Sequence, residues 1–255
     1  MQISKKFINS FEVNPIGIGT WLMGGGWYAD AKVPYSDYSN DEKEISAIKY
    51  SIESGQNHID GAELYGAGHT DELIGKAIKD FNRKSLFIAS KIHRTHALRN
   101  SITPATKEIL RRMDLSFLDL LYIHSPFPEI AMREYIEGLN DAYKDGLTKA
   151  IAVSNFNLEQ LQQALEISDA PIVANQLRYN VLYKKAVDKE MIDFCRKNNI
   201  TIVAYRPVER KLLADNTTDK LVLSIANKYN KTPAQIALNW LIVQDNVVTI
   251  TKSST

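Results

Sequence analysis

Short apolar segments alternate with longer segments of helical periodicity along most of the chain. The apolar segments are rich in Ile, Val and Leu, and several are bounded by Gly, Asn or Asp, which is typical of strands. The predicted strands cover residues 16–21, 57–60, 86–91, 118–124, 150–155, 172–176, 201–206 and 247–252. Apolar and polar residues alternate more loosely over residues 1–15, which predicts a short N-terminal β-hairpin.

Helix start signals mark several of the segments between these strands. Asn157 is a predicted N-cap with Gln160 at the capping-box position, and Thr232 precedes Pro233 at the first helical position. Thr70 is a third predicted N-cap, since two acidic residues follow it. The helix that follows Thr232 is predicted to cover residues 233–244, and the other predicted helices cover residues 41–54, 100–113, 129–144, 186–198 and 219–229.

Eight predicted strands alternate with helices at intervals of roughly 25–35 residues, which is the pattern of a closed parallel (β/α)8 barrel. The runner-up is a doubly wound open sheet. It is less favoured because no Gly-x-Gly-x-x-Gly turn joins a strand to a helix near the start. The Gly- and Tyr-rich segment 24–40 is a predicted functional loop, because loops longer than about 12–15 residues without structure tend to have a function.

Composition is that of an ordinary globular protein and narrows the possible partners. The chain has 255 residues, 44% hydrophobic and 24% charged, so residues 1–255 fit one barrel domain. Net charge is +1 without a Lys/Arg block, so neither a nucleic-acid surface nor a membrane surface is expected. The first residues are not followed by an apolar leader segment. The single cysteine, Cys195, has the pattern of a core helix residue. Both observations predict a cytoplasmic location.

Four residues whose side chains could take part in catalysis lie at, or just after, the C-terminal ends of successive predicted strands. They are Asp60, Tyr65, Lys91 and His124. Each has an ordinary explanation when taken alone: a cap, a packing residue or a solvated strand end. In a parallel barrel, however, this end of the strands carries the active site, so the four together predict a catalytic group.

This arrangement resembles the aldo-keto reductase family, whose tetrad is Asp, Tyr, Lys and His. The resemblance runs from Gly17 to Ser253, with Gly61 where the family usually has Thr. It implies a barrel plugged by the hairpin, NADP (NADPH) as cofactor, and reduction of a small-molecule aldehyde or ketone to the alcohol. We expect a monomer or a weak homo-oligomer.

The tetrad suggests a division of roles in carbonyl reduction. No side chain donates a hydride, so a nicotinamide must supply it. Tyr65 is the expected general acid/base, and the Lys91 ammonium is expected to lower the pKa of its phenol. Asp60 would hold Lys91, and His124 would position the substrate oxygen.

Further residues match cofactor contacts of the family. Ser154, Asn155 and Gln176 would bind the carboxamide, although each is equally well explained as a strand-end cap. Tyr205 would stack on the nicotinamide, and Arg206 would contact a pyrophosphate or be solvated. The remaining cofactor candidates are Thr20, Trp21, Asp60, Pro207, Lys252 and Ser253.

Lys252 and Ser253 resemble the start of the family's motif for the adenosine 2′-phosphate, which favours NADP over NAD. The chain ends at Thr255, before the family's arginine and before a final barrel helix. We therefore expect these residues to be a shortened form of a longer chain, which leaves the cofactor preference open.

An aromatic funnel is the expected substrate site. Its candidates are Trp21, Trp27, Tyr28, His93, Phe127 and Tyr179, and each could instead be a loop packing residue.

Two alternative functions remain. One is a cofactor-binding regulatory module of the same fold with slow turnover. The other is a metal-dependent hydrolase using His58, Asp60, Glu63, His69 and His124, which would leave Tyr65 and Lys91 without a role; no resident metal is expected.

Overall fold

The computed structural model describes residues 5–27, 33–209 and 219–252. Its strands are β1 (Lys6–Ile8), β2 (Phe11–Val13), β3 (Ile16–Gly19), β4 (Gly25–Trp27), β5 (Pro34–Ser36), β6 (His58–Asp60), β7 (Phe87–Ile92), β8 (Leu120–Ile123), β9 (Ile151–Ser154), β10 (Ile172–Arg178), β11 (Thr201–Tyr205) and β12 (Val247–Thr251). Its α-helices are α1 (Asp41–Glu53), α2 (His69–Ile78), α3 (Arg99–Met113), α4 (Met132–Lys144), α5 (Leu158–Ile167), α6 (Lys189–Lys197), α7 (Lys220–Tyr229) and α8 (Pro233–Ile242).

Eight strands close into a barrel in the order β10-β11-β12-β3-β6-β7-β8-β9, and every pair of neighbours is parallel. The first and last barrel strands complete the circle, because β12 pairs with β3. At least one helix lies between each barrel strand and the next barrel strand along the chain. The predicted (β/α)8 barrel is confirmed, and all eight barrel strands overlap the segments predicted from apolar runs.

Two apolar layers hold the barrel together, since successive side chains of a strand point to opposite faces. One layer fills the space between strands and helices. The other fills the lumen and includes Phe87, Leu120, Tyr122 and Val203. Because both layers are buried, the strands have nearly continuous apolar sequences, with polar residues concentrated at their ends.

The antiparallel hairpin β1–β2 belongs to the lumen layer, because Ile8 and Val13 pack into it. The Lys6 ammonium, which is almost fully buried, donates to the carbonyl oxygens of Gln244 (2.5 Å) and Asp245 (3.1 Å), just before β12. The N-terminal ends of the strands are therefore covered, and the barrel is open to ligands at the opposite end. The predicted hairpin is confirmed.

Local details differ from the sequence prediction in two places. The segment 24–40 is not without structure, because β4 and β5 pair within it as an antiparallel hairpin. Thr70 is not an N-cap: α2 begins at His69 after Gly68, whose φ of 96° is left-handed. The Thr70 hydroxyl instead donates to the Met23 carbonyl at 2.5 Å. The capping boxes at Asn157 and Thr232 are confirmed.

Within the described ranges, no helix combines the length and the apolarity that crossing a bilayer requires.

Candidate active site

A buried ion pair lies at the C-terminal ends of β6 and β7. The Lys91 ammonium donates to Asp60 Oδ2 at 2.6 Å and to the Gly61 carbonyl at 2.8 Å, and Lys91 is 0% exposed. The other carboxylate oxygen of Asp60 accepts from Gln176 Nε2 at 2.8 Å. Burial lowers the pKa of Lys91, while the Asp60 carboxylate acts in the opposite direction. Three strands are thus joined by one polar cluster.

Tyr65 lies beside this pair in the short 3₁₀ turn between β6 and α2. Its ring contacts Trp21 edge to face at a centroid distance of 5.0 Å and His124 at 5.9 Å. Lys91 Nζ is 5.3 Å from the centre of the same ring. The four predicted tetrad residues therefore lie together, although they come from three different strand ends.

The electrostatic environment of Tyr65 differs from the prediction. Burial raises the pKa of its phenol well above 10, and the Asp60 carboxylate and Tyr205 add to the effect. The expected lowering of this pKa is wrong for this structure, because burial is the largest cause of the shift and acts in the opposite direction. A raised pKa keeps the phenol protonated at neutral pH.

His124 ends the apolar segment of β8 and is neutral at physiological pH. Burial lowers its pKa to about 3, with Lys91 and His93 contributing in the same direction. Its Nδ1 is buried and has no hydrogen-bond partner among the described residues. We assign the ring proton to Nε2, because a proton on Nδ1 would be a buried, unpaired donor.

A cavity of about 360 Å3 opens above the tetrad. Ser154, Asn155, Gln176 and Tyr205 contribute polar atoms to it. The Tyr205 hydroxyl donates to Asn155 Oδ1 at 2.8 Å, and Ser154 Oγ donates to the Gln176 carbonyl at 3.0 Å. The complete lining is Gly19, Trp21, Asp60, Tyr65, His124, Ser154, Asn155, Gln176, Tyr205, Arg206, Pro207, Val208, Ile250, Thr251 and Lys252.

Nearly all candidate cofactor residues within the described ranges line this cavity. Thr20 does not; its buried hydroxyl donates to the Asp60 carbonyl at 2.9 Å and so supports the end of β6. The Lys252 ammonium donates to the Leu22 carbonyl at 3.0 Å. Ser253 lies outside the described residues.

A second cavity, of about 440 Å3, adjoins the first across Trp21 and His124. His93 and Phe127 line it, as the substrate-site prediction requires, and so do Leu64, Arg94, Ser125, Pro126, Pro128 and Glu129. Tyr179 does not: it packs on Trp240 and donates to Gln244 Oε1 at 2.9 Å. The Trp27 side chain and Tyr28 lie outside the described residues.

Glu63 connects the two loops that border this second cavity, a contact that the sequence analysis missed. Its largely buried carboxylate accepts from the His93 backbone N–H and from His96 Nδ1, the latter at 2.9 Å. One side chain thus ties the loop of Tyr65 to the loop of His93. The only sequence signal is a carboxylate placed between Asp60 and Tyr65.

The residues proposed for a metal centre do not form one. His69 bonds Asp41 and Glu72, each at 2.8 Å, and His58 lies fully buried in the barrel against Phe87. Across the described ranges, no group of three or more His, Cys, Asp or Glu side chains is arranged to hold a metal ion. The metal-hydrolase alternative therefore lacks a site in this part of the chain.

Comparison with known proteins gives consistent results. A family profile described as the Aldo/keto reductase family matches residues 15–255. Glyoxal reductase of Bacillus subtilis is 32% identical over 216 residues, covering 84% of this chain and 74% of the relative. Aldo-keto reductase YhdN of Bacillus subtilis is 30% identical over 219 residues, covering 82% of this chain, which spans only 62% of that relative's length.

Solved structures extend the comparison. The thermostable aldo-keto reductase Tm1743, in complex with the inhibitor epalrestat, superposes with a TM-score of 0.91 at 39% identity, covering 100% of this chain and 90% of the other. An aldo-keto reductase from Klebsiella pneumoniae in complex with NADPH gives a TM-score of 0.85 at 25% identity, covering 99% and 86%.

Proposed function

Since the chain belongs to the aldo/keto reductase family, we propose that it reduces an aldehyde or ketone to the alcohol with NADPH. The observation that carries the proposal is the cluster of Asp60, Lys91, Tyr65 and His124 against one cavity. An acid, a cation and a neutral imidazole in contact are what proton delivery to a carbonyl oxygen needs.

The residues around the first cavity fit a nicotinamide cofactor. Asn155 and Gln176 offer amide donors and acceptors for a carboxamide, and the Tyr205 ring forms a flat wall beside them. Arg206 and Lys252 are cations at the same cavity and suit phosphate groups. When bound there, the cofactor would supply the hydride for the carbonyl carbon.

The tetrad residues would manage the oxygen and its proton. The His124 Nε2–H would donate to the carbonyl oxygen and fix its direction. The Tyr65 phenol, kept protonated by burial, would transfer its proton to that oxygen as negative charge develops there. The Lys91 ammonium, held by Asp60, would stabilise the phenolate that remains. In the reverse direction the same phenolate would act as the base.

Replacing Tyr65 by Phe tests this proposal. We expect Tyr65→Phe to lower kcat by roughly 10²–10⁴-fold on a panel of aldehydes, because only the acid is removed. NADPH should still quench the tryptophan fluorescence of the variant. Tyr50→Phe is the matched control, since the Tyr50 phenol is 72% exposed on α1.

Two outcomes would count against the proposal. Turnover retained by Tyr65→Phe would remove Tyr65 from the acid role. NADPH binding by the unmodified protein without turnover of any aldehyde or ketone in the panel would favour the regulatory-module alternative.

A further inference from the structure

An ion pair spans the mouth of the second cavity. Arg94 Nη2 lies 2.5 Å from Glu129 Oε1, and both residues line the cavity together with Trp21 and His124. Arg94 begins the short 3₁₀ turn after β7, whereas Glu129 lies in the loop between β8 and α4. The pair therefore joins two of the loops that line the cavity.

The rest of the described lining of this cavity carries no full charge at neutral pH. Burial lowers the pKa of His93 and of His124, so both rings are neutral there. Trp21, Leu64, Pro126, Phe127 and Pro128 supply an apolar wall. A compound that enters meets an apolar surface and one cation whose charge is already balanced.

We propose that the Arg94–Glu129 pair is a charge filter at the substrate mouth, which makes the chain select uncharged aromatic or aliphatic carbonyl compounds over those that carry a carboxylate. The proposal rests on the carbonyl reductase function proposed above and deepens it by naming the substrate class. Arg94 alone would attract a carboxylate, since a guanidinium binds one in a bidentate manner. Glu129 occupies that guanidinium and repels a second carboxylate, which is specificity achieved by a repulsive element.

The size of the effect is limited by exposure. The two side chains are 59% and 46% exposed, so water and salt screen their charges. Removing the charge of Glu129 should raise carboxylate affinity relative to a neutral analogue by about fivefold at low salt, an effect typical of exposed charges. The same ratio should fall back toward the wild-type value in about 0.5 M salt, where the Debye length is only a few ångströms.

Calorimetric titration with benzoate and benzamide, run with and without saturating NADP⁺, tests the filter directly. These two probes have nearly the same shape and differ in charge. Glu129→Gln should raise the benzoate-to-benzamide affinity ratio about fivefold, and adding Arg94→Gln should abolish the rise. Asp169→Asn is the matched control: it removes one carboxylate from the exposed Lys144–Asp169 pair, far along the chain, and should leave the ratio unchanged.

Turnover of benzaldehyde and 4-carboxybenzaldehyde provides the kinetic counterpart. In Glu129→Gln, kcat/KM for 4-carboxybenzaldehyde should rise relative to kcat/KM for benzaldehyde. An unchanged binding ratio in Glu129→Gln, or an equal rise in Asp169→Asn, would overturn the filter. Absence of NADPH-dependent turnover would instead overturn the proposed function, and the binding ratio would still decide on the filter.

Discussion

Breaking the buried pair between Asp60 and Lys91 should destabilise the fold as well as the active site. At the observed 2.6 Å separation, the attraction is about 6 kcal/mol for an effective dielectric constant near 20. Much of it offsets the cost of desolvating two charges that are 1% and 0% exposed. Lys91→Met leaves the carboxylate buried with only Gln176 as a strong donor, and Asp60→Asn leaves the ammonium without its counter-ion.

Each single replacement should therefore lower the free energy of unfolding by roughly 3–5 kcal/mol, the cost of an uncompensated buried charge. The double variant Asp60→Asn/Lys91→Met should lose no more than either single variant, because it buries no unpaired charge. The coupling free energy from this double-mutant cycle should reach about 3 kcal/mol.

Urea unfolding at pH 7, followed by far-UV circular dichroism, gives the free energy of unfolding of the wild type, the two single variants and the double variant. Lys49→Met is a suitable control, because Lys49 forms a surface pair with Asp80 whose loss should cost less than about 1 kcal/mol. The reasoning would be refuted if both single variants unfolded within about 1 kcal/mol of the wild type, or if their effects were simply additive.

Three further predictions concern stability. Burial lowers the pKa of His58 to about 4, so the unfolded chain binds this proton first on acidification, and stability falls between pH 7 and pH 4. His58→Phe should reduce the loss between pH 7 and pH 5 by roughly 2 kcal/mol in urea titrations, and an equal loss in both proteins would contradict this. Gly66→Ala should lower Tm more than Gly146→Ala: both have positive φ, but a Cβ at Gly66 would lie 2.5 Å from the Gly24 carbonyl oxygen, whereas nothing lies within 4 Å at Gly146; equal shifts would exclude the clash. Thr232→Ala should cost about 1 kcal/mol in the same urea assay by removing the cap of α8, and an unchanged midpoint would show that the cap is dispensable.

Features that depend on neighbouring residues were predictable from the sequence. The barrel follows from eight apolar segments, since a strand buried on both faces must be apolar along its length. The cap at Asn157 follows from its own side chain and from Gln160, three residues later. Proximity of Tyr65 and Lys91 also follows, because parallel strands bring their C-terminal ends to one rim.

Features that depend on distant residues were not predictable. Thr70 has the chemistry of an N-cap, but its hydroxyl donates to the Met23 carbonyl and the helix already begins at His69. Tyr179 looks like a substrate contact, yet it packs on Trp240 in α8. The raised pKa of Tyr65 results from burial and from Asp60, and burial depends on every loop around the site.

The hairpin at the N-terminus has a consequence for biosynthesis. Its Lys6 ammonium contacts carbonyl groups 238 and 239 residues later, and the Phe7 carbonyl accepts from Thr201 Oγ1. Ile8 and Val13 are synthesised before every barrel strand, yet the layer that receives them is complete only after β12 has been synthesised. The apolar side chains of the hairpin therefore stay uncovered until the barrel closes, so docking of the hairpin is a late step of folding.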